Sequence, residues 1–331
     1  MDFIGRNSIE NLKNLISGRV LFLTQSGIYQ LFQNMLKPYL SDKDVTFFDK
    51  ITENPKKEEI DMALNTFQNA HFDFIVAFGG GSVIDFAKAF RFYSHRTIPL
   101  IAIPTTAGTG SQATQFAVVY VENQKTSLDN PAILPDYAIV DSQFVEHAPV
   151  YLKACSSIDA YCQAIESYWA KKATLESKEY ALQAIRLCRD FIVEAVNTDN
   201  AFANEQMAQA AHYAGKAINI SRTTASHALS YKITSLYGIP HGHSVALSLV
   251  GLFEFNTNTM TNYHELYQAL GVSRSDFGTY FHSLMRKIGL EPNLSRLGIN
   301  NIDEIISGVN LERLNNNPKT LSYQDLKLLF C

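Results

Sequence analysis

The sequence predicts an α/β N-terminal domain with a parallel sheet, followed by an all-helical C-terminal domain. Over the first 149 residues, short β-branched apolar runs alternate with amphipathic segments, and glycine-rich loops follow two of those runs. Beyond residue 150, apolar residues recur every three or four positions, as in helices. The 331 residues also exceed the size at which a single core stops growing, about 250–300 residues. We therefore expect two domains, 1–149 and 150–331.

The N-terminal elements follow the order expected of strands joined by crossover helices. Apolar runs at 19–24, 45–48, 74–78 and 98–104 predict strands, and the segments 57–70 and 83–93 predict helices. A turn is predicted at 25–27, where serine and glycine follow the first of these strands. Near the end of the chain, consecutive asparagines before a proline predict a loop at 313–318.

Composition argues against several classes of protein. With 46% hydrophobic and 18% charged residues, the chain has enough apolar residues for a core, which argues against disorder. The net charge of -4 provides no general positive field, so neither nucleic acid nor a membrane surface is expected as a partner. The spacing of Cys155, Cys162, Cys188 and Cys331 fits neither a zinc finger nor a disulfide framework. The first residues lack a signal-peptide pattern and no apolar run is long enough to span a membrane, so a cytoplasmic protein is expected.

Two glycine-rich loops follow neighbouring predicted strands. In the first, at 79–82, glycines would let a phosphate approach the backbone amides at a helix N-terminus, although such a turn is equally common as a simple chain reversal. The second, at 105–111, adds four hydroxyls and two glycines at the same edge of the sheet, and together the loops favour a nucleotide site. Neither matches the usual GxGxxG pattern, and the neutral Gln25 leaves NADP open beside NAD.

A candidate metal site is distributed over separate segments of the second domain. Asp159 and Gln163 lie four positions apart in a predicted helix and share a face. His227 and His241 flank a further helix-like stretch. Neutral imidazoles with a carboxylate suit Zn²⁺ or Fe²⁺. Taken singly, each residue is also compatible with an ordinary structural or surface role, so the spacing leaves both interpretations open.

The ordered set of motifs resembles the iron-containing (group III) alcohol dehydrogenase family. The matching segments are 79–88, 104–111, Asp159 in its helix, and His227 with His241. The resemblance implies a dinucleotide-binding first domain, a helical metal- and substrate-binding second domain, and a metal in the cleft between them. It further implies an NAD- or NADP-linked enzyme that interconverts an alcohol and an aldehyde with Fe²⁺ or Zn²⁺. We expect it to be a homodimer acting on a small molecule.

The resemblance also assigns roles position by position. Tyr231 stands where many members carry a histidine that relays protons, which implies a catalytic role, although a packed aromatic is the alternative. Gln163 replaces the histidine usual at the second metal position and is a weaker donor, which makes Zn²⁺ credible beside Fe²⁺. The implied metal ligands are Asp159, Gln163, His227 and His241. The implied cofactor-binding residues are Gly80, Gly81, Ser82, Asp85, Thr105, Thr106, Thr109, Ser111 and Lys125.

Two segments, 163–169 and 219–231, look like the phosphonoacetaldehyde reductase branch of that family. This narrower resemblance implies reduction of phosphonoacetaldehyde to 2-hydroxyethylphosphonate. The acid group needs cationic partners, for which Arg222 and Lys153 are candidates, each also interpretable as a surface charge. Three alternatives stay open: a glycerol, polyol or sugar alcohol dehydrogenase, a lyase resembling dehydroquinate synthase, and a nucleotide-binding protein without catalysis.

Overall fold

A computed structural model describes residues 1–122, 124–258, 263–309 and 311–330. It separates into two compact units. The first comprises 1–106 and 110–148, and the second comprises 107–109 together with the described residues from Pro149 onward. Cys155, Cys162 and Cys188 are buried free thiols, whereas Cys331 lies outside the described residues.

The first unit is built on a parallel sheet. Its strands are β1 (Asp2–Ile4), β2 (Arg19–Leu23), β3 (Asp44–Phe48), β4 (Phe74–Gly79), β5 (Leu100–Pro104), β6 (Phe116–Val121), β7 (Gln124–Asp129) and β8 (Tyr137–Val140). Six of them pair in parallel, in the order β1-β8-β5-β4-β2-β3, while β6 and β7 form a separate antiparallel hairpin. The strand order reverses between β2 and β4, so the loops after these strands flank the position where sheets of this type bind ligands.

Helices cover both faces of the parallel sheet. They are α1 (Leu12–Leu15), α2 (Ser26–Leu40), α3 (Lys57–Thr66) and α4 (Gly81–Ser94). Because successive strand side chains point to opposite faces, Phe22 and Val76 pack with α1 and α2, whereas Leu21 and Ile75 pack with α3 and α4. This burial on both sides explains why the strands are almost uninterrupted apolar runs.

Across the described residues of the second unit, the regular elements are all helices. They are α5 (Val150–Trp169), α6 (Leu175–Asn197), α7 (Ala201–Ser221), α8 (Ala225–Tyr237), α9 (His241–Thr257), α10 (His264–Leu270), α11 (Phe277–Lys287), α12 (Ile302–Ser307), α13 (Leu311–Asn315) and α14 (Tyr323–Leu328). α5 is the central helix, buried over most of its length and packed against α6, α7 and α9. Every helix in the described ranges is too short or too polar to cross a bilayer.

The predicted fold class is confirmed, with corrections to individual elements. The turn expected at 25–27 is wrong, because α2 begins at Ser26; Ser26 and Gly27 occupy its first turn, where weak helix formers are tolerated. The helix predicted over 57–70 ends at Thr66. The loop predicted at 313–318 is wrong at its start, because α13 continues to Asn315 and packs its buried Leu314 within the unit.

Candidate active site

α5 presents three polar side chains on one buried face. Asp159, Gln163 and Glu166 follow the i, i+4, i+7 spacing of a single helix face, and all three are at least 96% buried. The Gln163 amide donates to Asp159 Oδ2 at 3.0 Å. Burying a carboxylate costs folding free energy unless it is paired or hydrogen-bonded. The stability of this buried face therefore depends on the partners that neighbouring helices supply.

α8 supplies His227 to this face. The ring nitrogen Nδ1 is hydrogen-bonded to the Glu166 carboxylate, and Nε2 lies 3.4 Å from Asp159 Oδ1. The other Glu166 oxygen accepts hydrogen bonds from Thr224 Oγ1 at 2.6 Å and from the Ser226 N–H at 2.9 Å. Burial alone would lower the pKa of His227, but the two neighbouring carboxylates raise it above the ordinary value. When the ring is neutral with its proton on Nδ1, the lone pair of Nε2 faces Asp159.

His241 reaches the same place from the first position of α9. Gly238 ends α8 in the left-handed region, with φ at 67°, and Pro240 then leads directly into α9. A side chain at Gly242 would overlap the Cys155 carbonyl oxygen and lie 2.7 Å from Asp159 Cβ. The absence of a side chain there lets α9 begin in contact with α5, which places His241 Nε2 at 3.9 Å from Asp159 Oδ1.

The resulting group fits a divalent metal. One atom each from Asp159, His227 and His241 lies within 4.8 Å of the others, giving one oxygen and two nitrogen donors, a set suited to Zn²⁺ or Fe²⁺. Within the described ranges, His227 Nε2 and Gln163 Oε1 are buried without a hydrogen-bond partner. Such atoms cost about 1–3 kcal/mol each, which an ion accepting their lone pairs would offset. Gln163 is tied to the group through its bond to Asp159.

Tyr231 lies beside this group. Its ring stacks on His241 with centroids 5.9 Å apart and an interplanar angle of 16°. The guanidinium carbon of Arg313 lies 5.6 Å from the Tyr231 ring centre, and Arg313 Nη1 donates to Thr223 Oγ1. Burial raises the pKa of Tyr231, while the charge of Arg313 acts in the opposite direction. The Tyr231 hydroxyl therefore keeps its proton at neutral pH.

The two cations expected to bind substrate make contacts with main-chain carbonyls. Lys153 is buried and its ammonium donates to the Ala195 carbonyl at 3.4 Å. Arg222 follows α7 with φ at 66°, and its Nη1 donates to the Asn219 carbonyl.

His243, two positions after His241, is directed elsewhere. Its ring nitrogens contact the Tyr151 hydroxyl at 3.2 Å and the Glu291 carbonyl at 2.8 Å. Both ring nitrogens of His243 are therefore engaged outside the metal group.

The first glycine loop lies where β4 passes into α4. Gly80 precedes the helix, whose first-turn amides point toward the carboxyl edge of the sheet. A Cβ added at Gly80 would meet only the Thr106 side chain, at 3.7 Å, so space remains above this residue. The Thr105 N–H donates to the Gly79 carbonyl at 3.0 Å, which joins the starts of the two loops. Ser82 Oγ accepts the Asn54 N–H at 3.1 Å.

Behind these loops, Asp85 and Ser111 form a buried polar network with Lys88. Ser111 Oγ donates to Asp85 Oδ1 at 2.5 Å, and Lys88 Nζ donates to Ser111 Oγ at 2.9 Å and to the Phe116 carbonyl at 2.7 Å. Burial raises the pKa of Asp85 and lowers that of Lys88 to about 8. This network ties α4 to the segment that carries Ser111.

Lys125 and Thr109 are both exposed. Lys125 stands on β7, and its charge opposes the rise in the pKa of Asp85. Thr109 belongs to the short segment 107–109 of the second unit, in which a side chain at Gly108 would overlap Ser156.

Two site residues, Glu166 and Arg313, were missed by sequence reasoning. Glu166 lies seven positions after Asp159, a spacing that signals a shared helix face. The apolar pair Leu311 and Leu314, three positions apart, was the available signal for a helix around Arg313.

Two family models match the chain. One, described as iron-containing alcohol dehydrogenase, covers residues 3–142, and the other, the C-terminal domain of the same family, covers residues 153–330. Together they account for most of both units.

Individual relatives resemble the chain over different lengths. An NADPH-dependent butanol dehydrogenase from Clostridium saccharobutylicum is 27% identical, with 99% of this chain and 95% of the relative covered. A phosphonoacetaldehyde reductase from Streptomyces viridochromogenes is 31% identical over 56% of this chain and 53% of its own length. The crystal structure of a sulfoacetaldehyde reductase from Bifidobacterium kashiwanohense, in complex with NAD⁺, superposes with a TM-score of 0.93 at 26% identity, covering 100% of this chain and 96% of that one.

Proposed function

The chain belongs to the iron-containing alcohol dehydrogenase family, and we propose that it reduces a short aldehyde bearing an acid group, with phosphonoacetaldehyde as the leading substrate. At the level of the family, it is an NAD(P)-linked oxidoreductase of alcohols and aldehydes. The observation that carries the narrower proposal is that two of its relatives are named for two-carbon aldehydes with an acid group, one phosphonate and one sulfonate. The product from phosphonoacetaldehyde would be 2-hydroxyethylphosphonate.

Asp159, His227 and His241 are the proposed metal ligands, supported by the convergence of their donor atoms. Gln163 would complete the set through its oxygen or through a bound water, or would leave a three-residue site of Asp159, His227 and His241. Either Fe²⁺ or Zn²⁺ there would polarise the carbonyl oxygen of the substrate while the nicotinamide supplies hydride to its carbon. Glu166 orients the His227 ring, since its carboxylate holds Nδ1 and leaves Nε2 for the ion.

The first unit is the proposed dinucleotide-binding domain, and the second the metal- and substrate-binding domain. The space above Gly80 and the first-turn amides of α4 support a pyrophosphate position there. Asp85 and Ser111 would act by holding the loop, because they are hydrogen-bonded to each other. The remaining proposed contacts to NAD or NADP are Gly81, Ser82, Thr105, Thr106, Thr109 and Lys125.

Tyr231 is the proposed proton donor. Reduction of an aldehyde adds a hydride at carbon and a proton at oxygen, and the Tyr231 phenol keeps its proton at neutral pH. Its ring is stacked on the proposed ligand His241, which supports a place beside the reacting oxygen. Water would then return the proton to the phenol.

A second candidate is a dehydrogenase of neutral alcohols. The observation that favours it is the butanol dehydrogenase relative, which covers nearly the whole chain. Arg222 and Lys153 as contacts to an acid group, a homodimer and a cytoplasmic location all stay predictions.

Oxidation of NADH and NADPH, followed with three aldehydes, separates the two candidates. The aldehydes are phosphonoacetaldehyde, sulfoacetaldehyde and uncharged propanal, each tested with protein loaded with Fe²⁺ or Zn²⁺ and with a chelator-treated control. We expect metal-dependent turnover with a kcat/KM for phosphonoacetaldehyde well above that for propanal. Preference for propanal would select the neutral alcohol dehydrogenase, and preference for sulfoacetaldehyde would move the leading substrate to the sulfonate.

A further inference from the structure

We propose that Arg313 binds the acid group of the substrate and thereby selects phosphonate or sulfonate aldehydes over neutral ones. This inference rests on the proposed function and deepens it by assigning the residue that recognises the substrate class. It depends on the position of Arg313 within the second unit, on how that position is held, and on the chemistry of a guanidinium.

The position follows from two consecutive ring contacts. His241, a proposed metal ligand, is stacked against Tyr231, and the guanidinium of Arg313 lies over the Tyr231 ring, 5.6 Å from its centre. Arg313 is therefore one aromatic ring beyond the metal group. In the proposed binding mode, a short bifunctional substrate lies alongside Tyr231, with its carbonyl oxygen at the metal group and its acid group at Arg313.

Hydrogen bonds from Arg313 and Asn316 attach α13 to the segment just before α8. Arg313 Nη1 donates to Thr223 Oγ1, just before α8. Three positions later, the buried Asn316 side chain donates to the carbonyls of Ser221 at 2.8 Å and Thr223 at 3.0 Å. The Asn316 carbonyl in turn accepts the Lys171 N–H at 2.9 Å. These bonds fix α13 against the segment that leads to His227, so the cation is positioned before substrate arrives.

A guanidinium in this setting suits a tetrahedral oxyanion. It stays charged at all physiological pH values, and its planar fork of N–H donors pairs with two oxygens at once. Arg313 is only partly exposed, and a charge removed from bulk water attracts an anion more strongly. The hydrogen bond between Arg313 and the Tyr231 side chain, together with the contact to the ring, holds the cation in this orientation.

The other candidate cations are placed differently. Lys153 donates to a carbonyl of α6, and Arg222 donates to the Asn219 carbonyl in the last turn of α7. Arg313 differs from both because its contacts link it to Tyr231, which itself touches the metal group. Of the three, Arg313 is the one whose contacts point to the reacting end of the substrate.

The test compares Arg313→Gln and Arg313→Lys with wild type, using the same three aldehydes. We expect Arg313→Gln to raise the KM for phosphonoacetaldehyde and sulfoacetaldehyde by about 100-fold, with a much smaller rise in the KM for propanal, because propanal has no acid group. Any fall in kcat that comes from the lost contact with Tyr231 should be common to all three aldehydes. Arg313→Lys should recover part of the loss, because it keeps the charge without the fork. Arg296→Gln, which removes an exposed positive charge from the same unit, serves as the matched control and should leave all three KM values unchanged.

Three outcomes would overturn the assignment. An equal rise in the KM for propanal would mean that Arg313 only supports Tyr231. No change in the KM of either acid aldehyde would mean that Arg313 does not contact the acid group. A selective loss in Arg222→Gln, without one in Arg313→Gln, would move the acid group to Arg222.

Calorimetric titration with ethylphosphonate and ethanesulfonate separates this inference from the proposed function. These probes carry the acid group but no carbonyl, so their binding is independent of turnover. Binding to wild type that is lost in Arg313→Gln, with an unchanged melting temperature, would support the subsite even if only propanal is reduced. Equal binding in both proteins, or binding to neither, would overturn the subsite.

Discussion

At the scale of single residues, Glu166 determines the orientation and the tautomer of the His227 ring. Its carboxylate accepts the Nδ1 proton of His227 and two further hydrogen bonds from the start of α8. A neutral amide would accept fewer bonds, and its N–H₂ group would repel the ring N–H. The ring would then turn or change its tautomer.

We expect Glu166→Gln to weaken metal binding by about 10- to 100-fold, because partners of this kind contribute that much at other metal sites. Competition between the protein and a chromophoric chelator measures the affinity directly. Glu194→Gln, which changes an exposed glutamate on α6, is the control and should bind metal like wild type. Unchanged affinity in Glu166→Gln would show that His227 is oriented by other contacts.

Tyr231→Phe removes the proposed proton donor and retains the ring that stacks on His241. We expect kcat to fall by about 100-fold, the range typical for loss of a general acid, with little change in metal affinity. Steady-state kinetics on the preferred aldehyde and the same metal competition supply both measurements. Full activity in the variant would assign the proton to water.

Lys88 gives the first unit a pH-dependent stability. Its pKa is about 8 in the folded protein, against 10.5 in the unfolded chain, so between these values the unfolded state binds more protons. The contribution of Lys88 to stability therefore rises with pH across that window, by at most about 1.4 kcal/mol per pH unit. Urea unfolding of wild type and Lys88→Met from pH 8 to 10.5 should show the steeper rise in wild type. Parallel curves would contradict this account.

Sequence spacing identified candidate residues but not their partners. The residues brought together as Asp159, His227 and His241 were all singled out from chemistry and order along the chain. Their contacts with Glu166 and Tyr231 depend on how α8 and α9 pack on α5, which no local pattern specifies. Arg313 was assigned to a loop because the asparagines that follow it dominate the local signal.

At the scale of elements, the close approach of α9 to α5 places His241. Gly242→Ala would push a methyl group into the Cys155 carbonyl and against Asp159. We expect a loss of about 1–3 kcal/mol in the free energy of unfolding and weaker metal binding, because α9 must move away.

Gly27→Ala is the control for that substitution, since nothing lies within 4 Å of a side chain added there within α2. It should be neutral or slightly stabilising. Denaturant unfolding and metal titration of both variants measure the difference. Wild-type stability and metal affinity in Gly242→Ala would show that the two helices are not held by this contact.

The elements differ in how well they can be predicted from their sequences. The buried strands β2, β4 and β5 were predicted because burial on both faces makes them apolar throughout. The hairpin of β6 and β7 was not, because β7 is largely exposed and polar, so hydrogen bonding to β6 rather than burial holds it. Patterns of hydrophobicity detect burial and miss elements that lack it.

At the scale of the whole molecule, metal binding should stabilise the folded chain. The proposed ligands come from three different helices, and the unfolded chain cannot hold them together. A metal present at 100 times its dissociation constant would add about 2.7 kcal/mol to the free energy of unfolding. Removing the metal with a chelator should lower the melting temperature in a scanning calorimeter, and restoring Fe²⁺ or Zn²⁺ should reverse the change.

His227→Ala provides the control for metal removal, because its melting temperature should no longer respond to either ion. An equal response in this variant would place the stabilising ion elsewhere.

The fold class of the molecule was predictable because every level of the sequence agreed on it, from strand composition to the change of periodicity near Pro149. The substrate class was less so, since it depends on side chains that meet only after folding.

The pairing of β1 with β8 has a consequence for how the protein is made. The Met1 amino group donates to the Asp136 carbonyl, 135 positions away, and β1 lies at an edge of the sheet with β8 as its neighbour. At ribosomal speeds of roughly 5–20 residues per second, the partner of β1 emerges on the order of ten seconds later. Until β8 has been synthesised, β1 cannot form its hydrogen bonds with that strand. β1 therefore leaves the ribosome well before the strand with which it pairs.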